Sequence, residues 1–216
     1  MRWFRGADRS QPKAEEGATA APRTTRHCIG LGDLMSSLSG SDEQKKCVLD
    51  LGPTSPTNIR LLTELGVHLY NEDVLRESQD PVYVAKQEDG SQQIDPERFL
   101  KENLDYPAGH FDAILFWDVA DYLPEALVKP LIERLQAILK PKGHLLAFFH
   151  TKDAGVDSLY SRHHIVKKDT LELEPIQGFR LQRIFNNRHI ENLFKDFASR
   201  KFFLGRDNIR EVLMVR

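Results

Sequence analysis

The chain is 216 residues long, 40% hydrophobic and 29% charged, with a formal net charge of −2, the profile of one well-packed globular domain in water. No apolar run approaches the length of a bilayer span and the start lacks the apolar block of a secretory signal, so a membrane partner is excluded and a cytoplasmic setting is expected. The two cysteines, Cys28 and Cys47, show neither CxxC nor Cys/His spacing, which argues against a disulfide framework and against a metal site.

Residues 1–26 carry six Lys/Arg against three Asp/Glu among Gly, Ala, Pro and Thr, with no sustained period. They read as a disordered basic arm, with the domain proper over residues 27–216. Asp8, Glu15 and Glu16 interrupt the basic pattern that a mitochondrial address needs. Residues 28–39, CIGLGDLMSSLS, space Ile29, Leu31, Leu34, Met35 and Leu38 as a helix that packs on the sheet edge and ends at Gly40-Ser41.

Residues 46–65, KCVLDLGPTSPTNIRLLTEL, organise the rest. Val48, Leu49 and Leu51 predict a strand buried on both faces, with Cys47 as a small core residue of it. Ile59, Leu62 and Leu65 at three-residue spacing predict a helix behind a tight turn. Ser55 or Thr54 caps that helix and Pro56 suits its first position. The first amides of such a helix face whatever lies beyond the strand end. Gly52 permits close backbone approach there, and Asp50 is placed to meet a ligand's cationic or amide groups. With one glycine where a dinucleotide loop has three, and no Lys-Ser/Thr phosphate loop, a pyrophosphate ligand is disfavoured.

Residues 67–74, VHLYNEDV, predict the second strand. Glu72 or Asp73 at its end is the candidate to accept hydrogen bonds from two ribose hydroxyls. Over residues 75–103 the period is weak: 82–85 look strand-like, 88–91 like a hairpin tip and 95–100 like a helical turn. Residues 110–118, HFDAILFWD, predict a central strand with little room for a solvated face. Leu127, Leu131, Leu135 and Ile138 or Leu139 mark a helix within 124–139, with Pro130 as a kink or first turn. Residues 140–143, KPKG, stop it, and 144–150, HLLAFFH, form the next buried strand. Strand, helix and strand without a hairpin turn imply parallel pairing through right-handed crossovers.

Beyond residue 160 the pattern changes. Residues 160–173 predict a small hairpin, 180–185 a strand and 187–197 a helix built on Ile190, Leu193, Phe194 and Phe197. Residues 201–204 and 209–215 predict an antiparallel closing pair. Residues 160–216 hold twelve Lys/Arg against seven Asp/Glu, a surface suited to an anionic acceptor or a nucleic acid. No aromatic-and-basic RNA-binding motif accompanies it, so nucleic acid is disfavoured as a partner.

With these parts in order, the chain resembles a class I S-adenosylmethionine-dependent methyltransferase of the small-molecule group often called type 11. Four stretches carry the likeness: VLDLG at 48–52, NED at 71–73, NLDYPAGHFDAILFWDVADYL at 103–123 and LQAILKPKGHLLAFFH at 135–150. The resemblance implies a three-layer Rossmann-like α/β fold, mostly parallel with an antiparallel C-terminal strand, and S-adenosyl-L-methionine as cofactor. It assigns Asp50, Gly52, Pro53 and Thr54 to the methionine part of the cofactor and Glu72 or Asp73 to the ribose. Asn103 and Leu104 fall near the adenine turn, and Phe116, Trp117 and Asp118 beside the sulfonium and the acceptor. An aromatic face there gains from cation–π attraction, while Phe116 also reads as core. The first motif departs from Asp-x-Gly-x-Gly-x-Gly, because Thr54 and Pro56 replace the second and third glycines. Leu100 stands where the aspartate of a third strand is usual. Larger residues crowd a loop that hugs a ligand.

In methyl transfer the cofactor carries the difficult chemistry, and a base is needed only for a protonated acceptor. Asp118 is the first candidate base, followed by Asp121, His150 and the pair His163-His164. Each has a bland alternative: a helix cap for the aspartates, a strand end for His150 and an exposed loop for the pair. The sequence thus supports a methyltransferase acting on a small-molecule acceptor, or a non-catalytic protein of the same fold that binds a ligand or protein partner. An NAD oxidoreductase lacks its glycine fingerprint.

Overall fold

The computed structural model describes residues 22–39, 45–86, 90–151, 158–205 and 207–216. The first half of the chain contains β1 (Thr24–His27), α1 (Ile29–Leu38), β2 (Cys47–Asp50), α2 (Pro56–Glu64), β3 (His68–Asn71), α3 (Val74–Glu77), β4 (Val84–Lys86), β5 (Gln92–Ile94) and α4 (Pro96–Asn103). The second half contains β6 (Phe111–Trp117), α5 (Val119–Tyr122), α6 (Glu125–Ile138), β7 (Leu139–His150), β8 (Ser161–Lys167), β9 (Thr170–Pro175), α7 (Asn187–Leu193), β10 (Ser199–Leu204) and β11 (Ile209–Val215).

Six strands form the main sheet in the order β10-β11-β7-β6-β2-β3. From β3 to β7 the pairing is parallel, and β11 and β10 close the edge antiparallel. The Rossmann-like α/β expectation holds. The continuous apolar runs put β2, β6 and β7 in the middle, where Leu49, Ile114 and Leu145 lose all solvent contact and each stabilises the fold by about 1.5–3 kcal/mol. Alternation along β7 decides what each face of the sheet meets. Phe148 lies against Arg26, Trp117 and His163, whereas Phe149 lies against Phe185 and Phe194. Helix α1 packs on β7 and β11, so closely that a Cβ at Gly30 would stand 3.0 Å from both Glu211 and Leu146.

A second sheet, β1-β9-β8, is antiparallel throughout. The Arg26 guanidinium ties it to the main sheet, binding Glu211 at 3.1 Å and pairing with Asp207. Glu211 also accepts the Gly30 amide at 2.7 Å. Strand β8 runs along the start of α2: the Asn58 side chain accepts the Ile165 amide at 2.7 Å and donates to the His163 carbonyl at 2.9 Å.

Several local expectations are corrected. Residues 24–26, assigned to the basic arm, belong to β1, whereas residues 1–21 lie outside the described residues. Val74 starts α3 instead of ending a strand, because the Asp73 carboxylate accepts the Arg76 amide as an N-cap. Leu100 lies in α4, which Asp95 caps and Pro96 opens. Strands β4 and β5 form a separate hairpin, so among the described residues no further parallel strand pairs outside β3. Residues 140–143 belong to β7, with Lys142 taking a left-handed φ of 64°. Residues 180–185 form no strand, because the Gln182 and Arg183 amides bind the Asp121 carbonyl. The helix of 187–197 stops at Leu193, and the expected stop at Gly40-Ser41 and residues 88–89 of the hairpin tip at 88–91 lie outside the described residues. Among the described residues, no helix is long and apolar enough to cross a membrane.

Candidate functional site

Strand β2 has β3 on one side and β6 on the other, so its carboxyl end is the switch point at which open α/β sheets form their ligand crevice. Asp50 closes that strand, and Gly52 leads to the capped start of α2. The expected cap is present: the Ser55 hydroxyl accepts the Asn58 amide at 3.3 Å, and Pro56 opens the helix.

The crevice is filled by the chain itself. Trp117, 1% exposed, lays its indole on Gly52, where a Cβ would come within 2.9 Å of the ring. The indole N–H donates to Asp50 Oδ1 at 2.6 Å. Its other face stacks on the His163 imidazole, with centroids 4.6 Å apart and an interplanar angle of 3°. Asp50 also accepts the Gly52 amide at 3.2 Å and the Asn58 amide side chain at 2.9 Å. Burial nevertheless dominates and raises its pKa to about 6. The Ser55 hydroxyl is 2.9 Å from His164 Nδ1. His163 and His164 are buried on β8, in the expected hairpin and not on the exposed loop that was their alternative, and help to form this lid.

The remaining assigned residues are placed as follows. Asn71 bridges the loop, donating to the carbonyls of Asp50 and Gly52 and accepting from Thr54. Glu72 accepts the Tyr106 hydroxyl, and Asp73 caps α3. Asn103 turns back to the Phe99 carbonyl, and Leu104 and Phe116 are fully buried core. Pro53 is buried and Thr54 exposed. The sequence reading missed Asn58 and Asn71 as bracing residues; Asn58 lies in α2 and Asn71 ends β3, and a lone asparagine at either place carries no distinctive signal.

Next to the indole lies a buried polar cluster at the carboxyl ends of β6 and β7. Asp118, 2% exposed, has its Oδ1 3.8 Å from His163 Nε2 and without a hydrogen-bond partner among the described residues. Burial pushes its pKa up to about 7 and pulls that of His163 down to about 3. Asp121 accepts both the amide and the Nδ1 of His150, at 2.7 and 2.9 Å. Burial alone would lower the His150 pKa, but its Asp121 hydrogen bond and the nearby carboxylates outweigh burial and raise it. The Tyr160 hydroxyl is fully buried without a partner among the described residues, and burial raises its pKa well above the usual value. Displaced acids and an unbonded carboxylate oxygen at one strand end suit proton transfer. Among the described residues, no cluster of His, Cys, Asp or Glu has the arrangement of a metal site.

A mostly parallel sheet whose ligand crevice opens at Asp50 and Gly52 is the architecture of a class I methyltransferase. The chain belongs to the methyltransferase-domain family, whose model matches residues 24–197. The cofactor of that class is S-adenosyl-L-methionine. The fold is similar to that of a SAM-dependent methyltransferase from Archaeoglobus fulgidus, with 12% identity over 86% of this chain and 91% of that one and a TM-score of 0.51. A SAM-dependent methyltransferase from Aquifex aeolicus matches at 14% identity over 87% and 91%, with a TM-score of 0.45. The 1,6-didemethyltoxoflavin N1-methyltransferase of Burkholderia thailandensis, solved with 1,6-didemethyltoxoflavin and S-adenosylhomocysteine, matches at 12% identity over 87% and 77%, with a TM-score of 0.45. No curated protein matches the sequence. Set against that cofactor, the side chains do not fit as they stand. The indole occupies the approach to Gly52, and Asp50 spends both carboxylate oxygens inside the chain.

Proposed function

We propose that the protein is a methyltransferase for a small-molecule acceptor that rests with its cofactor cleft closed by Trp117. The observation that supports this is the backbone of Trp117: φ is 48°, left-handed, at the end of β6 beside a register shift. A bulky residue there carries strain of about 1–3 kcal/mol and persists only where its surroundings hold it, a state common at functional switches. Relaxing that φ takes the indole off Gly52 and releases Asp50. The chain then presents Asp50, Glu72 and Asp73 at neighbouring strand ends as acceptors for amine and hydroxyl donors. Asp118 is the proton acceptor for a protonated nucleophile, since a carboxyl of pKa about 7 exchanges protons readily near neutral pH. Acting from a closed state lowers apparent affinity by the fraction of molecules that are open.

A specific observation favours the non-catalytic reading instead: Asp50, Ser55, Asn58 and Asn71 are all hydrogen-bonded within the chain. Calorimetric titration with S-adenosylhomocysteine separates the two. Trp117→Ala is expected to bind about ten-fold or more tightly than the wild type, with Trp117→Phe, which keeps the ring but not the N–H, in between. Absence of heat from all three proteins, each folded by circular dichroism, overturns the enzyme reading and leaves the non-catalytic one.

A further inference from the structure

On the opposite face of the sheet from the indole, on the Phe149 side, a cavity of about 830 Å³ opens beyond the end of β7. Its size is that of a pocket for a small organic ligand, and it lies outside the carboxyl end of a parallel strand, where such folds bind ligands. Ile184, Phe185 and Leu204 give it an apolar wall, and Leu204 is 73% exposed, an unusual investment of leucine surface at a rim. The charged residues among its described lining are Arg188 and Arg210.

We infer that this cavity binds a small organic carboxylate with an apolar body, seated between Arg188, Arg210 and Thr151. A guanidinium offers a planar fork that matches a carboxylate in two parallel hydrogen bonds. Arg210 directs one N–H at the Phe185 carbonyl across 3.4 Å, a contact that fixes the stem. The floor carries the independent sign of a ligand: Thr151 is 9% exposed, lines the cavity, and its buried hydroxyl has no hydrogen-bond partner among the described residues. An unsatisfied buried hydroxyl costs stability unless something occupies the site and bonds it. Among the described residues near it, Asp207 pairs with Arg26 and Asp121 with His150, and the charged groups of the described lining are the two arginines. The apolar wall selects against inorganic phosphate, and the absence of acids from the described lining selects against a cation.

The site does not depend on methyl transfer, and its test is separate. Amide spectra of the labelled full-length protein are recorded against benzoate, benzamide and inorganic phosphate. Benzoate is expected to shift the amides of Thr151, Phe185, Arg188 and Arg210 in a saturable way, with benzamide and phosphate at least about ten-fold weaker. Arg188→Gln and Arg210→Gln are each expected to weaken benzoate about ten-fold, and Thr151→Val about three-fold, while the rest of the spectrum is kept. Equal shifts from benzamide remove the charge argument, equal shifts from phosphate remove the apolar one, and undiminished binding to both arginine variants places benzoate elsewhere; any of the three overturns the inference.

Discussion

Replacing Asp118 with asparagine keeps the shape of the side chain and removes its charge. Asp118 is 2% exposed, its Oδ1 lacks a partner among the described residues, and burial lifts its pKa from 3.8 to about 7. The groups facing it are His150 and Arg26, which favour its ionised form, Asp121, which opposes it, and His163, which burial keeps neutral. A shift of about three units corresponds to about 4 kcal/mol. A carboxyl whose folded pKa exceeds its unfolded one is neutral longer in the folded state. Its penalty is therefore absent below pH 3.8, grows as pH rises, and is complete above pH 7. Between pH 5 and pH 8 the Asn variant is expected to gain about 2–3 kcal/mol on the wild type, since part of the penalty is already present at pH 5. Urea unfolding of both proteins at the two pH values, followed by circular dichroism, measures this. Parallel stability curves, or an Asn variant less stable at pH 8, would show that the folded protein solvates the charge and would refute the argument. A stabilised yet inactive variant is the expected signature of an acid kept for function.

Three further outcomes follow from packing and hydrogen bonding. Gly52→Ala puts a methyl 2.9 Å from the Trp117 ring and is expected to cost about 1–3 kcal/mol; thermal melts check it, and adding Trp117→Ala should relieve the clash. Glu211→Gln strips the Arg26 guanidinium of a buried counter-charge, a loss of about 3–5 kcal/mol, and hydrogen exchange should speed first in β1, β8 and β9; uniform acceleration would contradict that anchoring. Asn58→Leu leaves the Ile165 amide and His163 carbonyl unpaired, about 1–3 kcal/mol for each, measurable by chemical denaturation.

The central sheet was legible because β2, β6 and β7 are long apolar runs between turn signals, and Ser55-Pro56 announces α2 by local chemistry alone. Residues 75–103 were not, because they have no firm period and the outcome turned on caps: Asp73 and Asp95 each recruit an amide three residues on and commit the backbone to helix. At the site, Asp50 and Gly52 were placed correctly at the strand end. Their fate was decided by residues far along the chain. Nothing in HFDAILFWD says that Trp117 turns left-handed, and nothing in SRHHIVK says that two histidines of the hairpin lie on the α2 turn. Sequence spacing reports local periodicity, whereas the lid depends on contacts between β8 and α2 that only the tertiary fold creates.

The tie between Arg26 and Glu211 joins positions 185 residues apart, whereas the parallel core is built from crossovers between successive segments. Closing so long a loop is entropically slow, and such contacts form late. The β8 histidines that back the indole over Gly52 are therefore expected to dock last during assembly, so each newly made chain passes through a stage with its lid unsupported. Pulse-labelled refolding would register this as protection at Ile165 trailing that at Ile114. A ligand present at birth would meet an unguarded crevice, and the history of a molecule, not just its sequence, would decide what it holds.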